Sequence, residues 1–326
     1  MRKNEAIDLE NLKIVIRFVD KDFSRYTLFV PLFKFSKSFL GLEDKFSNYL
    51  KLRYKSRLYL LSKIANLVNS LICCGVNRFV RLDNEFKIEK GLAKSLGFPK
   101  GFPSSDTIYR FFKVFNGYNI RQLEFINLLM LKEQKEHWYP NVGPIFVDLD
   151  MNTKSVEGKK FEKAALGYNR KSPGRLSLNW TVGHIAKVAL CSQLHSGTTS
   201  GIRVLRDQVE HLEKLMVKLG LNPQEPRFIW RVDGGYFSWQ NLFFLNKRRF
   251  LIRLRVDLKV LKPWLGSKKT FDNLSWKKYT KASYYVDLGK VNFPEVGNKG
   301  TNLRIVLIKT YKNYQGKKGK RKKLLL

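Results

Sequence analysis

Apolar residues recur at intervals of three and four through RLYLLSKIANLVNSLICCGV (57–76), with Leu60, Ile64, Leu67 and Ile72 on one stripe. That is a helical period, and it predicts a helix ended by Gly75. The stretch IEKGLAKSLGFPKGFPSSDTIYRFFKVF (88–115) reads as a short helix, a Gly/Pro turn, and SSDT as N-cap material before an aromatic run. A helix–turn–helix has this outline, and it places Thr107, Tyr109 and Arg110 early on the second helix, where groove contacts are made. An ordinary packed helical pair accounts for the same signals. Residues 1–140 therefore read as a mainly helical domain, closed by MLKEQKEHWYPNVG with its charge and its Pro-Gly break.

The texture then changes to short apolar runs. PIFVDLD (144–150) predicts a strand carrying two carboxylates, and LSLNWTVGHIAKVALCSQL (176–194) predicts two strands around a turn near Gly183. GIRVLRDQVEHLEKLMVKLG (201–220) places Ile202, Leu205, Val209, Leu212, Leu215 and Leu219 on one helical stripe. RFIWRVD reads as a strand, SWQNLFFLNKR as a helix and FLIRLRV as a strand. The order from residue 144 is β-β-β-α-β-α-β, an α/β sheet with one hairpin edge. After Asp257 the runs YYVDLGKV and LRIVLIKTY predict a smaller β unit, followed by a glycine-spaced basic tail.

Composition adds one strong feature. Lys and Arg number 62 against 27 Asp and Glu, a net charge of +35. Solubility alone asks for about 2–8 net charges on a small domain, so the surplus points to a polyanionic partner, most commonly nucleic acid. The chain is 44% hydrophobic, enough for a sizeable core. No apolar run approaches the roughly 18 residues of a spanning helix. The start MRKNEAIDLENLK lacks the apolar segment of a secretory signal, so the expected setting is cytoplasmic. Cys73, Cys74 and Cys191 are too few for a disulfide framework or a zinc site, and the adjacent pair is expected in the core.

The candidate chemistry lies in the carboxylates. Asp148 and Asp150 are two apart on one predicted strand and share a face. Asp233 ends another, ahead of Gly234 and Gly235. Sites in open α/β sheets gather at the carboxyl ends of strands, which brings Asp150 and Asp233 together. Two such carboxylates repel unless a cation lies between them, and hard oxygen donors suit Mg²⁺ or Mn²⁺. The two glycines then let a phosphate backbone approach. A turn aspartate capping the next helix is the plainer account of Asp233. Lys159, Lys160, Lys163, Arg170, Lys171 and Arg175 follow the first strand as a basic segment suited to phosphate contacts, or as a solvated loop. His184 and His195 are expected to be structural, and Trp230 and Trp239 to be core.

DLDMNTKSVEGKKFEKAALGYNRKSPGRLS resembles the first conserved block of bacterial insertion-sequence transposases of the DDE class, through Asp148, Asp150, Gly158, Gly167, Tyr168, Asn169, Gly174, Arg175 and Ser177. HSGTTSG is similar to that family's P-G-N-T-S turn, RVDGGYFS to its R-x-D-S-G-F/Y block, and SSDTIYRFF to its S-x-x-T-x-x-R-F element. The resemblance spans roughly residues 70 to 260. It implies an RNase H-like mixed sheet flanked by helices over 141–326, with an inserted β unit and basic tail at 257–326, behind a helical DNA-binding domain at 1–140. It further implies Mg²⁺ or Mn²⁺, cutting and joining of double-stranded DNA at element ends and target, a homodimer in the synaptic complex, and a bacterial, nucleoid-associated setting. Asp150 is then the first catalytic aspartate and Asp233 the second, although Met151-Asn152 replace the family's S-T pair and leave the choice between Asp148 and Asp150 open. The third residue, a Glu in a Y-x-x-R-x-x-x-E-like helix, has no counterpart. Glu295 in NFPEVGN sits beside a proline in a loop-like stretch. The expectation is a transposase truncated at its C-terminus, or such a chain acting only as a DNA-binding regulator.

Overall fold

The computed structural model describes residues 5–9, 12–16, 26, 29–54, 58–76, 78–157, 161–169, 171–254, 274–280, 283–293, 301–312 and 322–325. The chain divides into two compact units, Met1–Gln134 and Lys135–Leu326.

The first unit opens with a hairpin, β1 (Glu5–Leu9) and β2 (Leu12–Ile16), within a domain expected to be mainly helical. Helices follow: α1 (Phe29–Lys34), α2 (Leu42–Tyr49), α3 (Leu61–Cys73), α4 (Lys90–Ser95), α5 (Ser105–Lys113) and α6 (Gly117–Glu133). Their core is aromatic. Phe29, Phe33, Phe86, Phe98 and Phe111 are fully buried, and Phe98 lies 5.5 Å from Phe102 and 6.2 Å from Phe33, ring centre to ring centre. Ile64 and Leu67 of α3 are buried as the stripe requires, but Ile72 is exposed, and so are Cys73 and Cys74, expected in the core. The buried face of α3 runs through Ile64, Leu67, Val68 and Leu71, and its last turn rotates the next residues into solvent.

α4 and α5 are joined by residues 96–104, longer than the three- or four-residue turn of a helix–turn–helix. Gly97 and Gly101 adopt left-handed φ values of 82° and 91°, and Phe98 between them is buried, so the connection itself forms part of the core. The ordinary packed pair is the better description. Ser104 caps α5 by accepting from the Thr107 N–H at 3.3 Å, and Asp83 accepts from both the backbone and the hydroxyl of Ser105.

The second unit begins with α7 (Lys135–Trp138) and holds a mixed α/β sheet. Its strands are β3 (Ile145–Ser155), β4 (Ala165–Leu166), β5 (Leu176–Ile185), β6 (Val188–Ser196), β7 (Phe228–Val232) and β8 (Phe250–Ile252). The order is β8-β7-β3-β5, with β6 and β4 sharing the outer edge of β5. β3, β7 and β8 run parallel, and β5 is antiparallel to β3. Helix α8 (Gly201–Lys218) buries Leu205, Val209, Leu212 and Leu215, while Ile202 at its first turn stays exposed. Helix α9 (Trp239–Leu245) joins β7 to β8. The smaller unit pairs β9 (Lys277–Lys278), β10 (Ser283–Phe293), β11 (Thr301–Lys312) and β12 (Lys322–Leu325). Trp230 is buried as expected, whereas Trp239 is only partly buried, against Val286, Ile305 and Leu307 of the smaller sheet.

The hairpin turn differs from the expectation at Gly183. The chain reverses at Ala186 and Lys187, whose φ values are 49° and 73°, so no glycine marks the turn. Gly183 lies mid-strand beneath α8, and a Cβ there would stand 2.6 Å from Leu212 Cδ1. The sequence pattern predicts a turn at this residue, but close packing of helix on sheet is what demands a glycine there. Gly183→Ala is expected to cost about 1–3 kcal/mol in urea unfolding, the usual range for overpacking. The added methyl should cost much less in a Leu212→Ala background. Equal costs in both backgrounds would show that the glycine has another cause.

Candidate metal centre

The site is built from the register of β3 on β7. Their parallel pairing sets Val147 opposite Trp230, Asp148 opposite Arg231 and Leu149 opposite Val232. Val147, Leu149, Trp230 and Val232 are buried on one face. The alternate positions Phe146, Asp148, Asp150 and Ile229, Arg231, Asp233 fall on the other. β7 ends at Val232, and one step further along both chains stand Asp150 and Asp233. Neighbouring strands lie about 4.8 Å apart, so this register, continued by one residue, puts the two aspartates on neighbouring positions. β3 does not stop at Asp150 as predicted. It runs on to Ser155, with Asn152 opposite Trp180 and Ser155 opposite Ser177 of β5.

Asp150 is exposed, and one of its oxygens accepts from the Asn152 amide at 3.0 Å. Asp233 is also exposed. Its Oδ1 accepts from the Gly234 N–H at 2.6 Å as the cap of a 3₁₀ turn, Gly234–Tyr236, so the capping account of this residue is realised. Capping uses one oxygen of this exposed carboxylate. Gly234 and Gly235 have separate reasons. A Cβ on Gly234 would press to 3.1 Å from the Arg253 carbonyl, so internal packing is crowded at that glycine. A Cβ on Gly235 would meet open space.

Beneath the turn lies Tyr236, which is 1% exposed, with its hydroxyl 3.4 Å from Gln208 Oε1 on α8. Burial first, then the negative charges of Asp150 and Asp233, push its phenol well above the ordinary value. Both carboxylates thus act on the same buried group. Gly201, the first residue of α8, lies against this turn, since a Cβ there would come within 3.0 Å of the Gly235 carbonyl. Asn179, nearly fully buried, holds the approach to α8: its amide donates to the Gly197 and Thr199 carbonyls at 3.1 and 2.8 Å, and its oxygen accepts from Thr153 on β3. A Cβ on Gly167 would overlap the Gly197 carbonyl, so GYN and HSGTTSG meet backbone to backbone.

Asp148 does not join the other two. Arg231 donates to both of its oxygens, at 2.6 and 2.8 Å, with the guanidinium 4.9 Å from the centre of the Phe146 ring. Among the described residues no group of three or more His, Cys, Asp or Glu is placed to hold a metal ion. The donor set, two exposed carboxylates at one point, fits a single hard divalent cation completed by water or phosphate oxygens. It does not fit a cage built by the protein alone.

The other predicted contact residues fall in both units of the chain. Lys171 and Arg175 are exposed, and Arg175 lies 3.4 Å from Glu157. They belong to a loop pinned by Asn169, whose side chain donates to Ser155 and accepts from the backbone of Lys171 and Ser172. Between the clamped Gly167 and Asn169, Tyr168 projects with 85% of its surface exposed. Lys159, Lys160 and Arg170 lie outside the described residues, as do Gly158 and Glu295. In the first unit, Thr107 is half-buried and its hydroxyl is occupied by Ser104, while Arg110 is exposed on α5 beside Tyr109 and Lys113. His195 is held by Thr181 at 3.0 Å, and burial lowers its pKa, in keeping with a structural role. Sequence reasoning missed Arg231, Tyr236 and Asn179. Arg231 had a visible signal: it precedes Asp233 by two residues just as Asp148 precedes Asp150, and parallel pairing sets such residues side by side.

No family model matches the chain, and no curated protein matches it. Among solved structures it is similar to the Mos1 transposase paired-end complex with left transposon end, at 13% identity and a TM-score of 0.23, over 66% of this chain and 72% of that one. It is similar also to the Mos1 strand transfer complex, at 13% identity and a TM-score of 0.22, over 62% of this chain and 60% of that one. Likeness at this level assigns neither fold nor activity. Among the described residues no helix is long and apolar enough to cross a membrane.

The raised Tyr236 phenol gives a signed prediction. The unfolded chain ionises near the ordinary value of 10.0 while the folded chain stays neutral. The contribution of Tyr236 to stability is therefore complete below pH 10 and is lost as pH rises above it. Relative to Tyr236→Phe, the wild type should lose stability in alkali, and an ultraviolet difference titration should find no folded-state phenolate from Tyr236 near pH 10. A Tyr236 phenolate signal there would mean that the site does not enclose it.

Proposed function

We propose that this chain is a DNA transposase of the DDE type, with an RNase H-like sheet in its second unit and Asp150 and Asp233 as paired metal ligands. The observation that carries the reading is the β3–β7 register, which sets two exposed carboxylates side by side where β7 ends. A net charge of +35 favours duplex DNA as the partner, at the element ends and at the target. Asp150 and Asp233 would hold Mg²⁺ or Mn²⁺. A divalent ion bound there would polarise a phosphodiester and ease deprotonation of the attacking hydroxyl. The chain's own residues do the positioning: Asp233 is fixed by its cap on Gly234, Asp150 by Asn152, and the floor is the neutral Tyr236. Lys159, Lys160, Arg170, Lys171 and Arg175 would track phosphates near the catalytic sheet, with Arg110 and Thr107 contacting DNA from the first unit. A homodimer would join two element ends in a synaptic complex, in a bacterial nucleoid.

The second reading is a DNA-binding regulator without cleavage. It is favoured by the finding that two carboxylates, and no third ligand among the described residues, stand at the site.

Metal binding tests the first claim. The wild type should bind Mn²⁺ in an electron paramagnetic resonance titration, and Asp150→Asn or Asp233→Asn should weaken binding by at least about tenfold, since each removes one of two charged ligands. Unchanged binding in both variants would remove the metal centre. DNA binding tests the partner. A chain that neutralises 6–10 phosphates should lose about 10³–10⁵ in duplex affinity between 50 and 200 mM salt. Binding insensitive to salt would refute a phosphate-led interaction. Nicking of supercoiled plasmid with Mn²⁺ that disappears in Asp150→Asn would select the transposase, and salt-sensitive binding with intact plasmid would select the regulator.

A further inference from the structure

One rung behind the two carboxylates, the same face of the sheet carries the Asp148–Arg231 pair. Asp148 lies two residues before Asp150 on β3, and Arg231 two residues before Asp233 on β7, each directly opposite the other. The guanidinium is fixed on three sides: it donates from Nε to one Asp148 oxygen at 2.6 Å, from a terminal nitrogen to the other at 2.8 Å, and lies 4.9 Å from the centre of the Phe146 ring. Such a bidentate fork has a defined direction, and here both of its bonds go to Asp148. Asp148 is mostly covered while Arg231 is half-exposed, their side chains being 25% and 55% accessible. An ion pair this exposed adds little to stability, so its consequence is to be sought in the field it sets up at the next rung.

We propose that Arg231 is a positioning residue for the metal centre, a resident cation that occupies and neutralises Asp148, so that an incoming divalent ion is recognised by Asp150 and Asp233 alone. The proposal rests on the metal-centre reading above and adds to it a rule for the charge of the site. With the pair intact, the rung behind the site is neutral. Without Arg231, Asp148 becomes a bare negative charge about 6–7 Å behind Asp150 along the strand. Without Asp148, the bare charge at that rung is positive. At low ionic strength a unit charge at such a distance changes dication affinity by about five- to tenfold. The two single substitutions must therefore act in opposite directions, and the double substitution must cancel them. A pair that merely staples two strands predicts neither sign.

The test is a Mn²⁺ titration of the full chain at low salt, read by electron paramagnetic resonance, with thermal melting to establish that each variant is folded. Arg231→Gln should bind Mn²⁺ about five- to tenfold more tightly than wild type, and Asp148→Asn more weakly by a similar factor. Arg231→Gln with Asp148→Asn should return to within about twofold of wild type. Arg231→Lys, which keeps the charge and loses the fork, should stay close to wild type and guards against a folding defect in the Gln variant. Single variants that shift affinity in the same direction, or not at all, while Asp150→Asn still weakens binding, overturn this inference and leave the metal centre standing. A wild type that binds no Mn²⁺ overturns both.

Discussion

The parallel pairing of β3 with β7 is the constraint on which the rest of the second unit depends. It is set by alternation: Val147, Leu149, Trp230 and Val232 bury themselves on one face, and Asp148, Asp150, Arg231 and Asp233 are driven to the other. A slip of one residue would turn carboxylates into the core and apolar side chains into water, so the hydrophobic set fixes the polar set. The placement of the two candidate ligands is in this sense a by-product of core packing.

Around that register the chain closes by unusually near approaches of backbone. Gly183 admits Leu212 of α8, Gly201 admits the Gly235 carbonyl, and Gly167 and Gly197 meet with no room for a side chain. These contacts draw the start of α8, the turn after Asp233 and the loop after β3 to one end of the sheet. Asn179 ties the segment from Gly197 to Thr199, ahead of α8, to Thr153, and Asn169 ties the basic loop to Ser155. Glycines that look like flexible loop residues therefore serve as packing sites for a rigid surround.

The electrostatics of the face are graded along the strands. Asp148 is balanced by Arg231, Asp150 and Asp233 share no cationic partner among the described hydrogen bonds and salt bridges, and Tyr236 below them is kept neutral by burial. A chain with 62 basic residues has ample means to neutralise two aspartates. The proposed cation would balance the negative charge that Asp150 and Asp233 place at this point.

The sequence by itself determined the change from helical to α/β texture near residue 140, the strand–helix order after it, and the placing of Asp148 and Asp150 on one face of a strand, because burial imposes periods that are written directly in residue type. It also suggested plain roles for His195 and Trp230. It misplaced the hairpin turn, because Ala186 and Lys187 adopt left-handed angles that no residue signal announces, and it buried Cys73 and Cys74, because the exact rotation of α3 at its last turn depends on neighbours. Only the tertiary structure decided that Gly183 lies directly beneath Leu212 of α8 and that Asp148 belongs to Arg231. Those facts are contacts between segments far apart in the chain, at distances of a few ångströms, and composition and spacing carry no information on which distant atoms will share a space.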